Sequence, residues 1–143
     1  MKKLSIVIPS YNEAVNLKKG VLSGVKSYLE KLKVDCEVII VDDGSSDDSA
    51  DLIKKYISQN EDFKLIQNLH GGKANAVMTG MLEAKGEIVL FTDMDQATPI
   101  NQIEKFIPIF KEGADIVIGS RHGRKGHRWC GNYRLGDFPF FAK

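Results

Sequence analysis

Two aspartates separated by one residue, Asp93 and Asp95, are the part of the sequence with the clearest chemical use. They follow an apolar run at residues 88–91 that is typical of a buried strand. Two carboxylates at such a strand end can share a hard divalent cation, Mg²⁺ or Mn²⁺. That cation can neutralise a diphosphate and stabilise it as a leaving group. Because an isolated Asp-x-Asp is more often a turn or a helix cap, the pair needs support from other residues.

Polar residues also follow each of the other four apolar runs that the pattern predicts as strands. In chain order these polar segments are residues 9–13, 42–47, 70–73 and 119–121. Ligands of open α/β sheets bind beyond the carboxyl ends of the strands. Turn chemistry alone is a poor explanation for five strand ends out of five, so we expect these segments to form one site.

The elements that must position these residues alternate along the chain. Apolar periodicity predicts strands at residues 4–9, 36–41, 63–66, 87–92 and 115–118. It predicts helices at residues 14–32, 49–57, 73–84 and 100–110. Short apolar strands separated by amphipathic helices indicate an α/β fold with a mostly parallel central sheet covered on both faces.

Two familiar nucleotide-binding motifs are excluded by spacing. A dinucleotide-binding sheet needs a glycine-rich turn after its first strand, and residues 9–14 contain no glycine. A P-loop needs a glycine five residues before its Gly-Lys pair and Ser or Thr after it, but Gln67 and Ala74 occupy those places. A phosphate must therefore be held in another way, which favours the metal site.

Composition sets broader limits. The chain has 143 residues, 43% of them hydrophobic and 27% charged, with a net charge of +1. These values fit one globular domain and give no reason to expect a nucleic acid partner. No apolar run is long enough to span a bilayer, and no signal segment follows Met1. Cys36 and Cys130 lack metal-ligand spacing, and Cys36 is expected to be a reduced structural thiol. We therefore expect a cytoplasmic protein.

Four segments in this order resemble the signature of family 2 glycosyltransferases. They are residues 7–13 (VIPSYNE), 41–47 (VDDGSSD), 72–76 (GKANA) and 93–95 (DMD). Residues 91–99 with 119–121 are more particularly similar to the dolichyl-phosphate glucosyl- and mannosyltransferase branch. The resemblance implies a GT-A fold, a Rossmann-like three-layer sandwich, over roughly residues 4–121. Members of this branch continue well beyond this length, so a chain truncated after the nucleotide-sugar-binding part is expected.

The resemblance also implies roles for individual residues. The nucleoside would be held by Pro9, Tyr11, Glu13 and Asp42, with Asp43 as a weaker candidate. The Tyr11 ring would lie against the base, and Asp42 would accept a hydrogen bond from a base N–H.

The remaining roles that the resemblance implies concern the phosphates and the metal. Lys73 would lie near the base or the phosphates, and Asp93 would contact the ribose or the metal. Asp95 would ligate the metal, and Arg121 would lie on a loop near the phosphates or the acceptor phosphate. Asp95 and Arg121 are thus the expected catalytic residues.

The implied reaction is inverting transfer of a hexose from a UDP- or GDP-sugar to a polyprenyl phosphate. An ionised phosphate acceptor needs no general base, whereas a hydroxyl acceptor does, and only Asp137 follows Arg121 as a candidate. The alternatives are a sugar or glycan hydroxyl acceptor, a catalytically inactive nucleotide-sugar-binding module and, more distantly, a nucleotidyltransferase.

The end of the chain differs in character from the rest. Residues 122–143 are basic, aromatic and glycine-rich without clear periodicity, and are expected to begin an acceptor-binding or membrane-facing region after a domain at residues 1–121. The cations at 121–128 could engage a lipid phosphate or an anionic membrane surface on its cytoplasmic face, or could be a solvated loop. We expect residues 4–120 to be stable on their own, and the aromatic residues beyond them to need the sheet edge, a second copy of the chain or a membrane.

Overall fold

One six-stranded sheet organises the computed structural model, which describes residues 3–119 and the backbone of residues 141–142. The strands are β1 (Leu4–Ser10), β2 (Cys36–Asp42), β3 (Phe63–Gln67), β4 (Ile88–Phe91), β5 (Val117–Ile118) and β6 (Phe141–Ala142). Their order across the sheet is β3-β2-β1-β4-β6-β5. The first four in this order are parallel, and β6 runs antiparallel to both β4 and β5. The predicted α/β fold with a mostly parallel sheet is confirmed.

The helices follow the sequence pattern with one exception. They are α1 (Ala14–Lys18), α2 (Val21–Leu32), α3 (Ser49–Ile57), α4 (Lys73–Glu83) and α5 (Ile103–Lys111), with a 3₁₀ turn at Ile100–Gln102. The single helix predicted over residues 14–32 is wrong, because the chain turns at Gly20 with a φ of 81°. Glycine adopts this left-handed conformation without the steric cost of a Cβ. The break lets α1 and α2 take separate directions.

Side chains that alternate along the strands pack into a core on each face of the sheet. Ile6 and Ile8 of β1 join one core with the apolar sides of α2, α3 and α5. Val7 joins the other core, which α4 covers through the fully buried Ala76. Period-two alternation produces this division, since successive strand side chains point to opposite faces. The result is the predicted three-layer arrangement.

A buried carboxylate links neighbouring strands near their amino ends, opposite the carboxyl ends. The side chain of Glu37 is 1% exposed and accepts hydrogen bonds from Ser5 Oγ (2.7 Å) and the Lys85 backbone N–H (2.8 Å). Lys64 Nζ lies 2.7 Å from its other oxygen. Burial alone would raise the pKa of Glu37, but these donors outweigh burial and hold its pKa below the ordinary value. This network is structural, and it leaves the carboxyl ends of the strands for a ligand.

The end of the described chain returns to the sheet. The backbone of Phe141–Ala142 forms β6 between β4 and β5, where Ala142 pairs with Leu90 and Val117. Residues 120–140, with Arg121 and the basic segment 121–128, lie outside the described residues. In the part of the chain that is described, no helix has the length and apolarity needed to cross a membrane.

Candidate active site

An open cavity of about 320 Å³ lies at the carboxyl ends of β1 and β4, beside the amino end of α4. Its wall brings together residues from four of the five polar segments that the sequence predicts to converge. The predicted site residues on this wall are Pro9, Tyr11, Glu13, Asp43, Lys73, Asp93 and Asp95. The convergence expected from the strand ends is therefore present for four segments, and most of the fifth, residues 119–121, lies outside the described residues.

The charged end of the cavity is built from the Asp-Met-Asp segment and the first residue of α4. Lys73 Nζ lies 2.5 Å from Asp93 Oδ1. Met94, between the two aspartates, is 1% exposed and packs in the core, which anchors the segment. Asp95 is exposed, and its Oδ1 accepts a hydrogen bond from the Ala97 backbone N–H (2.9 Å). A cation and two carboxylates thus face the same space.

The donor set at this end fits a divalent ion that a substrate helps to hold. Among the residues that the structure describes, no three His, Cys, Asp or Glu side chains are placed to bind a metal together. Mg²⁺ is commonly bound by only one or two carboxylates, with water and substrate phosphates completing its coordination. The ion pair with Lys73 engages one of the two carboxylate oxygens of Asp93, so the other remains as a ligand. Asp93 and Asp95 therefore suit a metal that arrives with a diphosphate.

Hydrogen bonds join the loops after β1 and β2, and they involve several polar groups of the segments that resemble the family signature. Asn12, at a φ of 54°, donates its backbone N–H to Ser45 Oγ (2.9 Å) and accepts from the Ser46 N–H through Oδ1 (2.9 Å). The Glu13 N–H donates to Ser49 Oγ (2.8 Å). These contacts fix the loop that carries Tyr11, although they involve no ligand.

Asp47 belongs to the same set of contacts. Its carboxylate accepts from the Ala14 N–H at the start of α1 (3.2 Å) and from the Ser49 N–H (2.9 Å) and hydroxyl (2.5 Å). The hydrogen bond from the Ser49 hydroxyl is the main reason that the pKa of Asp47 lies below its ordinary value. Asp47 therefore supplies a cap to a helix that precedes it in the chain.

The placement of Asp42 argues against the direct nucleoside contact expected for it. Asp42 is 2% exposed and does not line the cavity. Its Oδ1 accepts from Ser45 Oγ (2.5 Å), the same hydroxyl that accepts from the Asn12 N–H. Asp43, ranked below it from the sequence, is the aspartate on the cavity wall. The direct nucleoside contacts of Asp42 and Asp43 both stay predictions.

Asp43 holds the glycine loop that leads into α4. Its Oδ1 accepts from the Gly71 N–H (3.0 Å), and its Oδ2 accepts from the Gly72 N–H (2.8 Å). His70 Nδ1 lies 2.8 Å from the same Oδ2. Because Asp43 accepts hydrogen bonds from both glycine N–H groups, these groups are not available to bind a phosphate.

His70 is a cavity residue that the sequence did not single out. Its ring stacks on Tyr11 with a centroid distance of 4.3 Å and an interplanar angle of 23°. The only sequence signal was an aromatic side chain in the loop after β3, within a segment expected to reach the site. Its partner Tyr11 is distant in sequence, so only the folded structure reveals the pair.

The comparisons with known proteins agree on one family. The protein-family model described as "Glycosyl transferase family 2" matches residues 5–137. The chain is 34% identical over 131 residues to an undecaprenyl-phosphate 4-deoxy-4-formamido-L-arabinose transferase of Proteus mirabilis, covering 90% of this chain and 40% of that one. It is 31% identical over 141 residues to a dolichol-phosphate mannosyltransferase of Pyrococcus furiosus, covering 99% of this chain and 37% of that one. The chain thus spans about two fifths of the length of these relatives.

A solved structure with a similar fold contains a nucleotide sugar and a metal. It is the mannosyltransferase PcManGT from Pyrobaculum calidifontis in complex with GDP-Man and Mn²⁺. Its TM-score with this chain is 0.59 at 28% identity, over 70% of this chain and 29% of that one.

Proposed function

The chain belongs to glycosyl transferase family 2 and has the GT-A fold, and from this premise we propose that it moves a hexose from a UDP- or GDP-sugar to a polyprenyl phosphate. The observation that carries the proposal is the cavity at the strand ends, whose wall combines an acidic pair and a lysine with the stacked rings of Tyr11 and His70. That division suits a nucleotide sugar, whose base is flat and whose diphosphate is charged.

The diphosphate is assigned to the charged end. Asp93 and Asp95 would hold Mg²⁺ or Mn²⁺, which when bound would neutralise the diphosphate and stabilise it as a leaving group. Lys73, already paired with Asp93, supplies a second positive charge at the same place. The Mn²⁺ complex of PcManGT supports a divalent ion in a relative of this fold.

The nucleoside is assigned to the part of the wall that the loops after β1 and β2 form. Pro9, Tyr11 and Glu13 line it from the loop after β1, and Asp43 lines it from the loop after β2. Tyr11 is 46% exposed, so its ring is accessible to a base. Asp42 does not line the cavity, and it supports the loop after β2 by accepting a hydrogen bond from the Ser45 hydroxyl.

A phosphate acceptor is favoured by the two relatives, one named for undecaprenyl phosphate and one for dolichol phosphate. Such an acceptor is already ionised, so this chain has no proton to remove, and its contribution is positioning and charge stabilisation. Arg121, outside the described residues, remains the proposed partner of the donor or acceptor phosphates. Contact with a membrane surface and formation of a homodimer also remain proposals.

Turnover with labelled donors tests the proposal. The chain is incubated with radiolabelled UDP- and GDP-sugars and Mn²⁺, with and without polyprenyl phosphate. The expected result is that the donor sugar is turned over, and labelled lipid formed, only when polyprenyl phosphate is present. Asp95→Asn is expected to lower transfer because it removes a proposed metal ligand. Its matched control, Asp51→Asn on α3, is expected to leave transfer unchanged, because the Asp51 side chain is 88% exposed and pairs only at 3.7 Å with Lys54. Nucleotide binding without transfer to any acceptor would instead support a binding module, and absence of nucleotide binding would refute the site.

A further inference from the structure

The stacked pair of His70 and Tyr11 is the one aromatic surface on the wall of the cavity among the described residues. We propose, resting on the function proposed above, that His70 is a base-recognition residue that completes, with Tyr11, the stack of rings to which the nucleobase adds. The centroid separation of 4.3 Å leaves no room for a third ring between the two. The base therefore adds to the pair from outside.

His70 is held at one edge of its ring while its side chain stays accessible. Nδ1 lies 2.8 Å from Asp43 Oδ2 and 3.1 Å from the Asp43 carbonyl oxygen. The His70 side chain is 56% exposed, whereas the Asp43 side chain is only 3% exposed. A buried carboxylate thus fixes the orientation of an exposed ring. These contacts involve Nδ1, which leaves Nε2 as the ring nitrogen for the polar edge of a base.

The backbone is also shaped to bring His70 to this position. Gly44, at a φ of 72°, lies so close that an added Cβ would meet His70 N at 2.9 Å and His70 Cβ at 3.3 Å. Any other residue there would be strained and would push the two loops apart. The loop after β2 therefore provides His70 with both its hydrogen-bond partner and the space it occupies.

The charge distribution assigns this wall to the base rather than to the phosphates. Lys73, Asp93 and Asp95 place a cation beside two carboxylates, whereas Tyr11 and His70 offer ring faces. The other charged residues of the wall, Glu13 and Asp43, are carboxylates that would repel a diphosphate. Stacking on aromatic side chains suits any base, since every base has a π-face. A diphosphate gains little from an aromatic face and much from Lys73 and a cation.

The test separates binding of the base from binding of the diphosphate. Calorimetry with Mn²⁺ measures the affinities of the 143-residue chain for UDP, GDP and inorganic pyrophosphate. His70→Ala is expected to weaken the preferred nucleotide about tenfold or more, as loss of a stacking partner does, while pyrophosphate affinity stays within about twofold. His70→Phe keeps a ring but loses both nitrogens, so its affinity is expected to fall between those of the parent and His70→Ala. The matched control is Leu69→Ala, because Leu69 is adjacent and 93% exposed.

The outcomes are distinct. Unchanged or tighter nucleotide binding by His70→Ala would overturn the inference, and tighter binding would mean that His70 covers the site. Equal losses for nucleotide and pyrophosphate, or a His70→Phe variant as weak as His70→Ala, would reduce His70 to a residue that only positions Asp43 and its loop. If the parent chain binds neither nucleotide, the proposed function fails rather than the role of His70. Unfolding curves for each variant establish that the fold is intact.

Discussion

Replacement of Asp43 by asparagine tests how the site is assembled. The Asp43 carboxylate accepts one hydrogen bond at Oδ1, from the Gly71 N–H, and one at Oδ2, from the Gly72 N–H, and His70 Nδ1 lies 2.8 Å from Oδ2. An amide has a single acceptor oxygen. We expect that oxygen to take the Oδ2 position, beside both the Gly72 N–H and His70, which leaves the new NH₂ group facing the Gly71 N–H.

The magnitude follows from the lost contact. A hydrogen bond to a charged group contributes about 1.5–3 kcal/mol, and 1.4 kcal/mol corresponds to a factor of about ten. The loop should therefore open roughly ten to a hundred times more often at Gly71, with a smaller change at Gly72. Nucleotide affinity should fall as well, since the same carboxylate orients His70 on the cavity wall.

Amide hydrogen exchange measured by NMR reads the two glycines separately, and calorimetry reads nucleotide affinity. Asp42→Asn is the matched control, because its main partner, the Ser45 hydroxyl, can bond to an amide as well as to a carboxylate. We expect it to leave Gly71 exchange unchanged and nucleotide affinity within about threefold, less than the cost of one hydrogen bond. An equal or larger loss of affinity in Asp42→Asn would refute this reasoning and restore the direct base contact predicted from the sequence.

Three further changes have defined outcomes. EDTA should weaken UDP and GDP binding at least tenfold by calorimetry, because without a cation each carboxylate repels a diphosphate charge by about 4 kcal/mol at ~4 Å and an effective dielectric constant near 20. Asp95→Asn should weaken binding as well because it removes a proposed metal ligand; equal affinity with and without Mn²⁺ would contradict both expectations. Glu37→Gln should lower the free energy of unfolding by about 1.5–3 kcal/mol at pH 7. Since the pKa of Glu37 is lowered by folding, that contribution is complete above the unfolded pKa of about 4.3 and is lost as pH falls through the folded pKa. Urea curves of parent and variant should therefore converge at acidic pH, and a constant difference would contradict the assignment. Gly80→Ala should cost about 1–3 kcal/mol in the same assay, because its Cβ would overlap Val7; an unchanged midpoint would show that α4 can move away from the sheet.

The fold was predictable because each strand and helix carries its own local pattern. Ile6, Val7 and Ile8 place apolar side chains on both faces of the sheet, and only a strand that is covered on both faces requires this. The break at Gly20 was missed, since a single glycine is tolerated inside a helical pattern. Strand β6 was missed because two residues carry no periodicity, and its pairing with Leu90 depends on contacts that are remote in sequence.

The site was predictable in its location and residue types but not in its internal contacts. Polar residues at strand ends identify the edge of the sheet, and Asp93 and Lys73 lie there together as expected. Whether a polar side chain meets a ligand or another loop depends on distances that only the fold sets. Ser45 and Asp47, which look like ligand-binding residues, instead join the loops after β1 and β2.

A single geometric rule explains which aspartate faces the cavity. The cavity continues the sheet face that α4 covers, because Ala76 belongs both to that core and to the cavity wall. Val41 and Phe91 point to this face, and side chains two residues further along a strand point the same way. Asp43 and Asp93 are those residues, whereas Asp42 and Met94 are offset by one, and Met94 packs in the opposite core. The same alternation, applied to the sequence, favours Asp43 over Asp42 as the aspartate on the face that α4 covers. It also predicts that a one-residue insertion between Val41 and Asp43 turns Asp43 to the opposite face and removes the carboxylate that holds His70, which amide hydrogen exchange at Gly71 and Gly72 would detect.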